Sequence, residues 1–224
     1  MNTIDLGRAV RAPFADHEWL NKTLLGLVWT LLVVTAPAVL GAQVEYIRRC
    51  AVGNEELPDW SDFGDKWVTG LLVAVAGFIY FLPVVIAAIA VLVPVSVVAV
   101  SGDERAIPFS VLLAGLVGVG ALLYALVVTI FFYAALTHYA MSGRFGAFFE
   151  FGEIAARIRA GSYFPAWLYA WVISLVAGIV SSALTGTWVL SLITPGISYL
   201  AAMMTGHVLG QYAWQAYRAG QPTT

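Results

Sequence analysis

Few residues in this sequence have side chains placed to do chemistry. Two of its three histidines, His138 and His207, fall inside long apolar runs. An imidazole there is the side chain best able to ligate, donate, accept or titrate near neutral pH. Each lies toward the end of its run, and runs that cross in the same direction bring both rings toward one leaflet. There they could ligate a haem or a chlorophyll-type pigment, pair with Glu45, or hydrogen-bond to a neighbouring helix. His138 and His207 are therefore the candidate cofactor contacts, although no cofactor is expected. Cys50, the single cysteine, excludes an internal disulfide and any multi-cysteine metal or redox site. Its neighbours Arg48 and Arg49 would favour a thiolate, so it is either a reactive thiol or an unpaired loop cysteine. No phosphate-cradling GxxxxGK[ST], HExxH, CxxC or GxSxG pattern occurs. No paired carboxylates lie within an apolar run, so neither catalytic nor metal-binding residues are expected, and the chain does not read as an enzyme.

The elements that position these residues are written in the hydropathy. Hydrophobic residues make up 61% of the 224, charged residues only 11%, and mean hydropathy is +0.86. Soluble domains carry about a quarter charged residues. No Asp, Glu, Lys or Arg occurs in Thr23–Val44, Val68–Ser101, Ala106–Gly143 or Ala160–Tyr217. Each run exceeds the ~20 residues that cross a bilayer core, and such runs satisfy their backbone in lipid as helices. The expected fold is an all-α integral membrane protein, a bundle of about five transmembrane helices at 20–44, 68–93, 108–139, 163–184 and 188–217. A polar or interfacial segment, 1–22, precedes a single transmembrane domain, 23–217, and a tail, 218–224, follows. The first apolar run is too long for a cleaved signal core, so it is read as a retained span, kinked at Pro37.

Two polar loops interrupt the spans. In the first, Trp60, Phe63, Trp67 and Leu71 repeat at helical spacing opposite Asp62, Asp65 and Lys66, with Asp62 and Lys66 at i,i+4. In the second, Glu150, Glu153 and Arg157 edge a face made by Phe148, Phe149, Phe151 and Ile154. Both loops read as amphipathic helices in the headgroup layer, and a partner groove would use the same pattern. They also resemble each other: Tyr46–Gly53 matches Tyr139–Gly146 in spacing, and Asp62-Phe63-Gly64-Asp65 mirrors Glu150-Phe151-Gly152-Glu153. In the last span, Ala202, Gly206 and Gly210 recur at i,i+4, the spacing that lets helix backbones approach closely, while Val208 should point elsewhere. Ala114 and Gly118 form a second, weaker pair.

The exit GAQVEYIRRC, the loop GNEELPDWSDFGDKWVTGL and the later FEFGEI stretch resemble an uncharacterised family of bacterial and archaeal membrane proteins, domain of unknown function 4013. The likeness runs from about Phe14 to Tyr217. It implies the fold and supplies no site.

Five spans place Arg48, Arg49, Lys66, Arg144, Arg157, Arg159 and Arg218 on one face and Arg8, Arg11, Lys22 and Arg105 on the other. The richer face is then cytoplasmic and the N-terminus lies outside. A net charge of -2 with no basic stripe excludes nucleic acid as an expected partner. The expected setting is the inner or plasma membrane of a prokaryote, with lipids and other integral membrane subunits as partners. Two function classes fit: a non-enzymatic accessory or scaffold subunit of a larger membrane complex, and a carrier or lipid-handling protein for an apolar molecule. A pigment- or haem-contacting subunit acting through His138 and His207 is a special case.

Overall fold

The computed structural model describes residues 3–32, 34–102, 105–159 and 161–218. These form helices α1 (Leu6–Ala15), α2 (Trp19–Leu31), α3 (Pro37–Ala51), α4 (Phe63–Ser101) and α5 (Ile107–Ser142). A 3-10 turn (Phe145–Phe149), α6 (Phe151–Ile158), α7 (Tyr163–Leu184), α8 (Trp188–Ser191) and α9 (Thr194–Arg218) follow. No strand occurs among the described residues. Four stretches are long and apolar enough to cross a membrane: Phe63–Val98, Ile107–Ser142, Tyr163–Leu184 and Trp188–Ala216. The protein is an all-α, multi-helix membrane protein.

The expected span at 20–44 is the main departure. The run is two helices, of 13 and 15 residues, and each is about 20 Å long at 1.5 Å per residue. Pro37 causes more than a kink: it lacks the N–H needed to continue α2 and instead occupies the first turn of α3. Thr35 helps the break by donating its hydroxyl to the carbonyls of Trp29 and Leu32. The chain then doubles back. Gly26 and Leu27 of α2 lie against Tyr199 and Gly196 near the start of α9, whereas Gln43 and Cys50 of α3 lie against Gly206 and Gly210 farther along it. Asp5, just before α1, pairs with Gln211. Both ends of the N-terminal region therefore lie toward the same end of α9, and no helix crosses between them.

Contacts divide the chain into two units. The first comprises Met1–Val75 and Tyr133–Thr224 and is built around α9, which packs against α1, α2, α3 and α7. Because neighbours surround it, α9 has no outward face over much of its length, and Val208 is as fully buried as Met203 and Leu209. The expectation that Val208 faces away from the packing does not hold. Val39, Ala42, Tyr46, Leu57, Tyr199 and Met203 form the core, flanked by Trp19, Trp29 and Trp60. The second unit, Ala76–Phe132, consists of the far part of α4 and the near part of α5. Within it Tyr124 donates to the Tyr80 carbonyl (3.2 Å), and the Phe132 ring meets Tyr80 and Phe81 edge-on. Its large apolar side chains from Phe78 to Val127 are mostly exposed, as expected of helices solvated by lipid.

The two expected amphipathic helices have different fates. Residues 54–59 have no regular structure and run through the first unit with Leu57 fully buried, and α4 begins only at Phe63. Trp67 and Leu71 thus belong to the opening turns of a long helix rather than to a separate interfacial one. The second segment is the 3-10 turn followed by the eight-residue α6, with Phe148 and Ile154 turned inward and Phe151 exposed. In both copies of the acid–Phe–Gly–acid motif the Phe starts a helix, and Asp65 and Glu153 occupy first turns, where the helix dipole favours a negative charge. The last expected span, 188–217, is α8, a short turn, and α9 with Pro195 in its first turn. From residue 219 the tail lies outside the described residues.

Candidate functional site

The polar side chains of the first unit gather around α9 and the returning loop. His207 is fully buried. Its state is fixed by Gln211: the Asp5 N–H donates to Gln211 Oε1 (2.8 Å), and Gln211 Nε2 donates to the Asp5 carbonyl (3.0 Å). That two-point pairing decides which amide atom is nitrogen. The same Nε2 faces His207 Nδ1 at 3.0 Å, so Nδ1 accepts and the neutral ring carries its proton on Nε2. Nε2 lies 3.3 Å from Glu55 Oε1 without forming a hydrogen bond. Glu55 also binds Arg8 of α1 through both carboxylate oxygens (2.6 and 3.1 Å), and its backbone carbonyl accepts from the Tyr46 hydroxyl (3.1 Å). With Nδ1 bonded and Nε2 against a carboxylate, His207 offers no open nitrogen to a metal or pigment. Beside it, Arg8, Cys50, Glu55, Gln211 and Trp214 line a cavity of about 70 Å³, room for a few waters and well below the ~300 Å³ of small-ligand pockets.

The reactive reading of Cys50 is corrected by this geometry. The thiol is buried in the core, and burial together with the Glu55 charge pushes its pKa up to about 12. The adjacent arginines point elsewhere, Arg48 to the Ala140 carbonyl and Arg49 to Glu45.

A second cluster ties the loop to α2, α3 and α4. Lys66, 4% exposed, places Nζ 2.8 Å from Glu45, and Arg49 takes the other Glu45 oxygen at 2.5 Å. Asp59 stands 3.7 Å from Arg49 and 3.9 Å from Lys66. Lys66 thus turns to Glu45 and not to Asp62, the partner expected from spacing alone. Asp16 binds Lys22 (2.8 Å) and accepts the N–H groups of Glu18 and Leu57. Lys22 Nζ donates to the Leu57 carbonyl (3.1 Å), and Trp60 Nε1 donates to the Lys22 carbonyl (3.1 Å). Burial pushes the Asp16 carboxyl up, but the Lys22 and backbone hydrogen bonds outweigh it and hold it below the ordinary Asp value. Asp59 is held low by the hydroxyl and N–H of Ser61. Trp60 packs on Tyr199 and Trp29, Phe63 on Trp29, and Trp67 donates to the Val34 carbonyl (2.7 Å). Of the first loop's expected surface residues, Asp62, Asp65 and Leu71 stay exposed, while Trp60, Phe63, Lys66 and Trp67 are drawn into contacts.

The third cluster lies at the end of α5. His138 Nε2 is 2.7 Å from Glu150, whose other oxygen binds Arg144 at 2.8 Å, and the His138 hydrogen bond leads in lowering the Glu150 pKa. Phe148 stacks on Tyr139 and Phe149 meets Phe145 edge-on, while Phe151 and Glu153 face outward. Neither histidine meets Glu45; His138 pairs with Glu150, which the spacing of the second loop had marked, and His207 lies against Glu55, which no spacing singled out.

The small-residue stripe of α9 packs within the unit. A Cβ added at Gly206 would sit 3.4 Å from Gln43 and Tyr46, and one at Gly210 only 2.3 Å from Cys50 Cβ; Ala202 borders the core. Tighter approaches went unforeseen. An added Cβ at Gly41 would fall 1.8 Å from the Lys66 carbonyl oxygen, and one at Gly70 1.6 Å from that of Pro37. Gly41 and Gly70 let α3 and α4 touch backbone to backbone, which delivers Lys66 to Glu45. The signal was present as single glycines in apolar runs, without a GxxxG spacing to mark them.

Among the described residues these clusters anchor helices and loop. Comparison with known proteins gives a family model, described as protein of unknown function (DUF4013), that matches residues 24–186. No curated protein and no solved structure matches.

Proposed function

Since the chain belongs to the DUF4013 family, whose description assigns no activity, we propose from the geometry that it is a non-enzymatic accessory or scaffold subunit of a larger assembly in a prokaryotic cell membrane. The supporting observation is the unit Ala76–Phe132. An added Cβ at Gly115, Gly118 or Gly120 would meet nothing within 4 Å, so at Gly118 the small-residue stripe has no helix of the described residues against it. Small residues let transmembrane backbones approach closely, and in lipid that packing must supply most of the association. An open stripe on a mostly apolar hairpin fits a helix of another subunit. The polar clusters of the other unit fit a rigid platform built from its own helices and loop.

The test is purification from native membranes in mild detergent. A stoichiometric membrane partner is expected with the wild type and lost with Gly118→Leu, whose thermal stability should stay at the wild-type value because the site is open. A wild type that purifies alone, or a Gly118→Leu variant that keeps the partner, would overturn this assignment.

A further inference from the structure

A crevice of about 350 Å³ opens between α1, α7 and α9. We propose that it binds one acyl chain of an anionic membrane phospholipid, with Arg11 as the contact for the headgroup. The walls are apolar throughout, with Leu6 and Val10 from α1, Val172 and Val176 from α7, and Ala201 and Met204 from α9. The volume lies at the lower end of the roughly 300–1,000 Å³ of small-ligand pockets. Ala177 and Ala201, both small, line it where larger side chains would close the gap between α7 and α9. Water is a poor occupant, because a buried water needs about two to four polar partners and these walls supply none. A void would forfeit dispersion contacts along its whole lining. For a membrane protein, the apolar molecule in greatest supply around such a crevice is a lipid chain.

The headgroup assignment rests on α1. This helix is amphipathic: Ala9, Ala12 and Pro13 are buried, while Leu6 and Val10 face the crevice. Its two arginines differ. Arg8 is engaged by Glu55, whereas Arg11 is exposed and has no ion pair or hydrogen bond among the described residues. Arg11 is the next residue of α1 after Val10, which lines the crevice, and its charge is uncompensated among the described residues. A phosphodiester there gains charge-assisted hydrogen bonds from a planar fork of donors, and net negative headgroups are favoured over zwitterionic ones. The Asp5–Gln211 pairing holds α1, and with it Arg11, in register beside α9.

The experiment uses the full chain in mild detergent, offered equal amounts of dioleoylphosphatidylglycerol and dioleoylphosphatidylcholine, with retained lipid counted by native mass spectrometry. The wild type should retain one lipid with a preference of about fivefold for phosphatidylglycerol, the effect of one basic side chain beside an anionic headgroup. Ala177→Phe and Ala201→Phe, which fill the crevice from opposite walls, should abolish retention, while Val189→Phe on the exposed surface should not. Arg11→Gln should retain lipid and lose the preference. Retention by both crevice-filling variants would overturn the site, and an unchanged preference in Arg11→Gln would overturn the headgroup contact. A phosphatidylglycerol with a photoreactive acyl chain tests the wild type without any substitution: labels within residues 172–180 and 197–204 are expected, and labels confined to α4 and α5 would reject the crevice.

Discussion

Glu45 holds two cations, and its loss and the loss of its partner are not equivalent. Glu45→Gln leaves buried Lys66 with only Asp59 at 3.9 Å. Breaking a buried pair in this way costs about 3–5 kcal/mol, and a thermal midpoint lower by about 10 °C is expected. Lys66→Met leaves Glu45 with Arg49, and its cost should be only about 1–2 kcal/mol, toward the low end for removing one partner of a polar group. The double variant should be more stable than Glu45→Gln alone. Equal losses in the two single variants would contradict this pairing. The carboxylates also set an acid limit. Asp16 and Asp59 are held below the ordinary Asp value, and Glu150 below that of Glu. A depressed carboxyl takes up its proton at lower pH folded than unfolded. Its stabilisation is therefore complete above the unfolded value, near pH 4, and is lost as pH falls through the folded value. Melting temperature should hold from pH 7 to about 5 and then fall toward pH 3, with a shallower fall in Asp16→Asn. A fall as steep in Asp16→Asn as in the wild type would remove Asp16 from this account. These residues were visible in the sequence as loop charges, but their partners were not. The pairings depend on residues 54–62 folding back along α9, which local spacing does not encode.

Elements were legible where hydropathy alone decides them. The stretches at α4, α5, α7 and α9 emerged from uninterrupted apolar runs, with α7 bounded at the residues expected, Tyr163 and Leu184. The run at 20–44 misled because it is equally apolar, and only Pro37 and Thr35 distinguish a helical hairpin from a crossing. Glycine contacts were legible in part. The i,i+4 spacing drew attention to Gly206 and Gly210, while the closest approaches belong to Gly41 and Gly70 on different helices. The contact geometry ranks the substitutions. Gly41→Ala and Gly70→Ala meet rigid carbonyls and should lose more than the ~1–3 kcal/mol typical of overpacking. Gly210→Ala meets Cys50 Cβ and should lose less. Gly206→Ala meets contacts no closer than 3.4 Å and should be near neutral, since alanine gains about 1 kcal/mol of helix propensity. Thermal melts of the four variants in detergent check the order, and a Gly206→Ala loss matching that of Gly41→Ala would refute it.

At the scale of the whole molecule, the doubling back of α2 and α3 changes the topology that five crossings would give. Four crossings put α1, the first loop, the α5–α7 connection and the end of α9 on one side, and leave the α4–α5 and α7–α8 turns on the other. The charge bias then sharpens. Of all the lysines and arginines in the sequence, Arg105 alone lies in one of these two far-side turns, and the others lie in near-side connections or on elements that begin or end there. Basic residues in short loops are retained in the cytoplasm, which predicts a cytoplasmic near side with the N-terminus inside. Single cysteines at Glu18, Glu56, Gly146 and Thr185, in a Cys50→Ala background, test this with a membrane-impermeant maleimide. Thr185→Cys should label on intact cells, and the other three only after permeabilisation. The decisive comparison is between Glu18→Cys and Glu56→Cys, which flank the helical hairpin: a single crossing at 20–44 puts them on opposite sides of the membrane, whereas a hairpin puts them on the same side. Labelling of Glu18→Cys from outside with Glu56→Cys protected would restore the fifth crossing. It would also separate Arg8 from Glu55 and Asp5 from Gln211, contacts that hold α1 against α9.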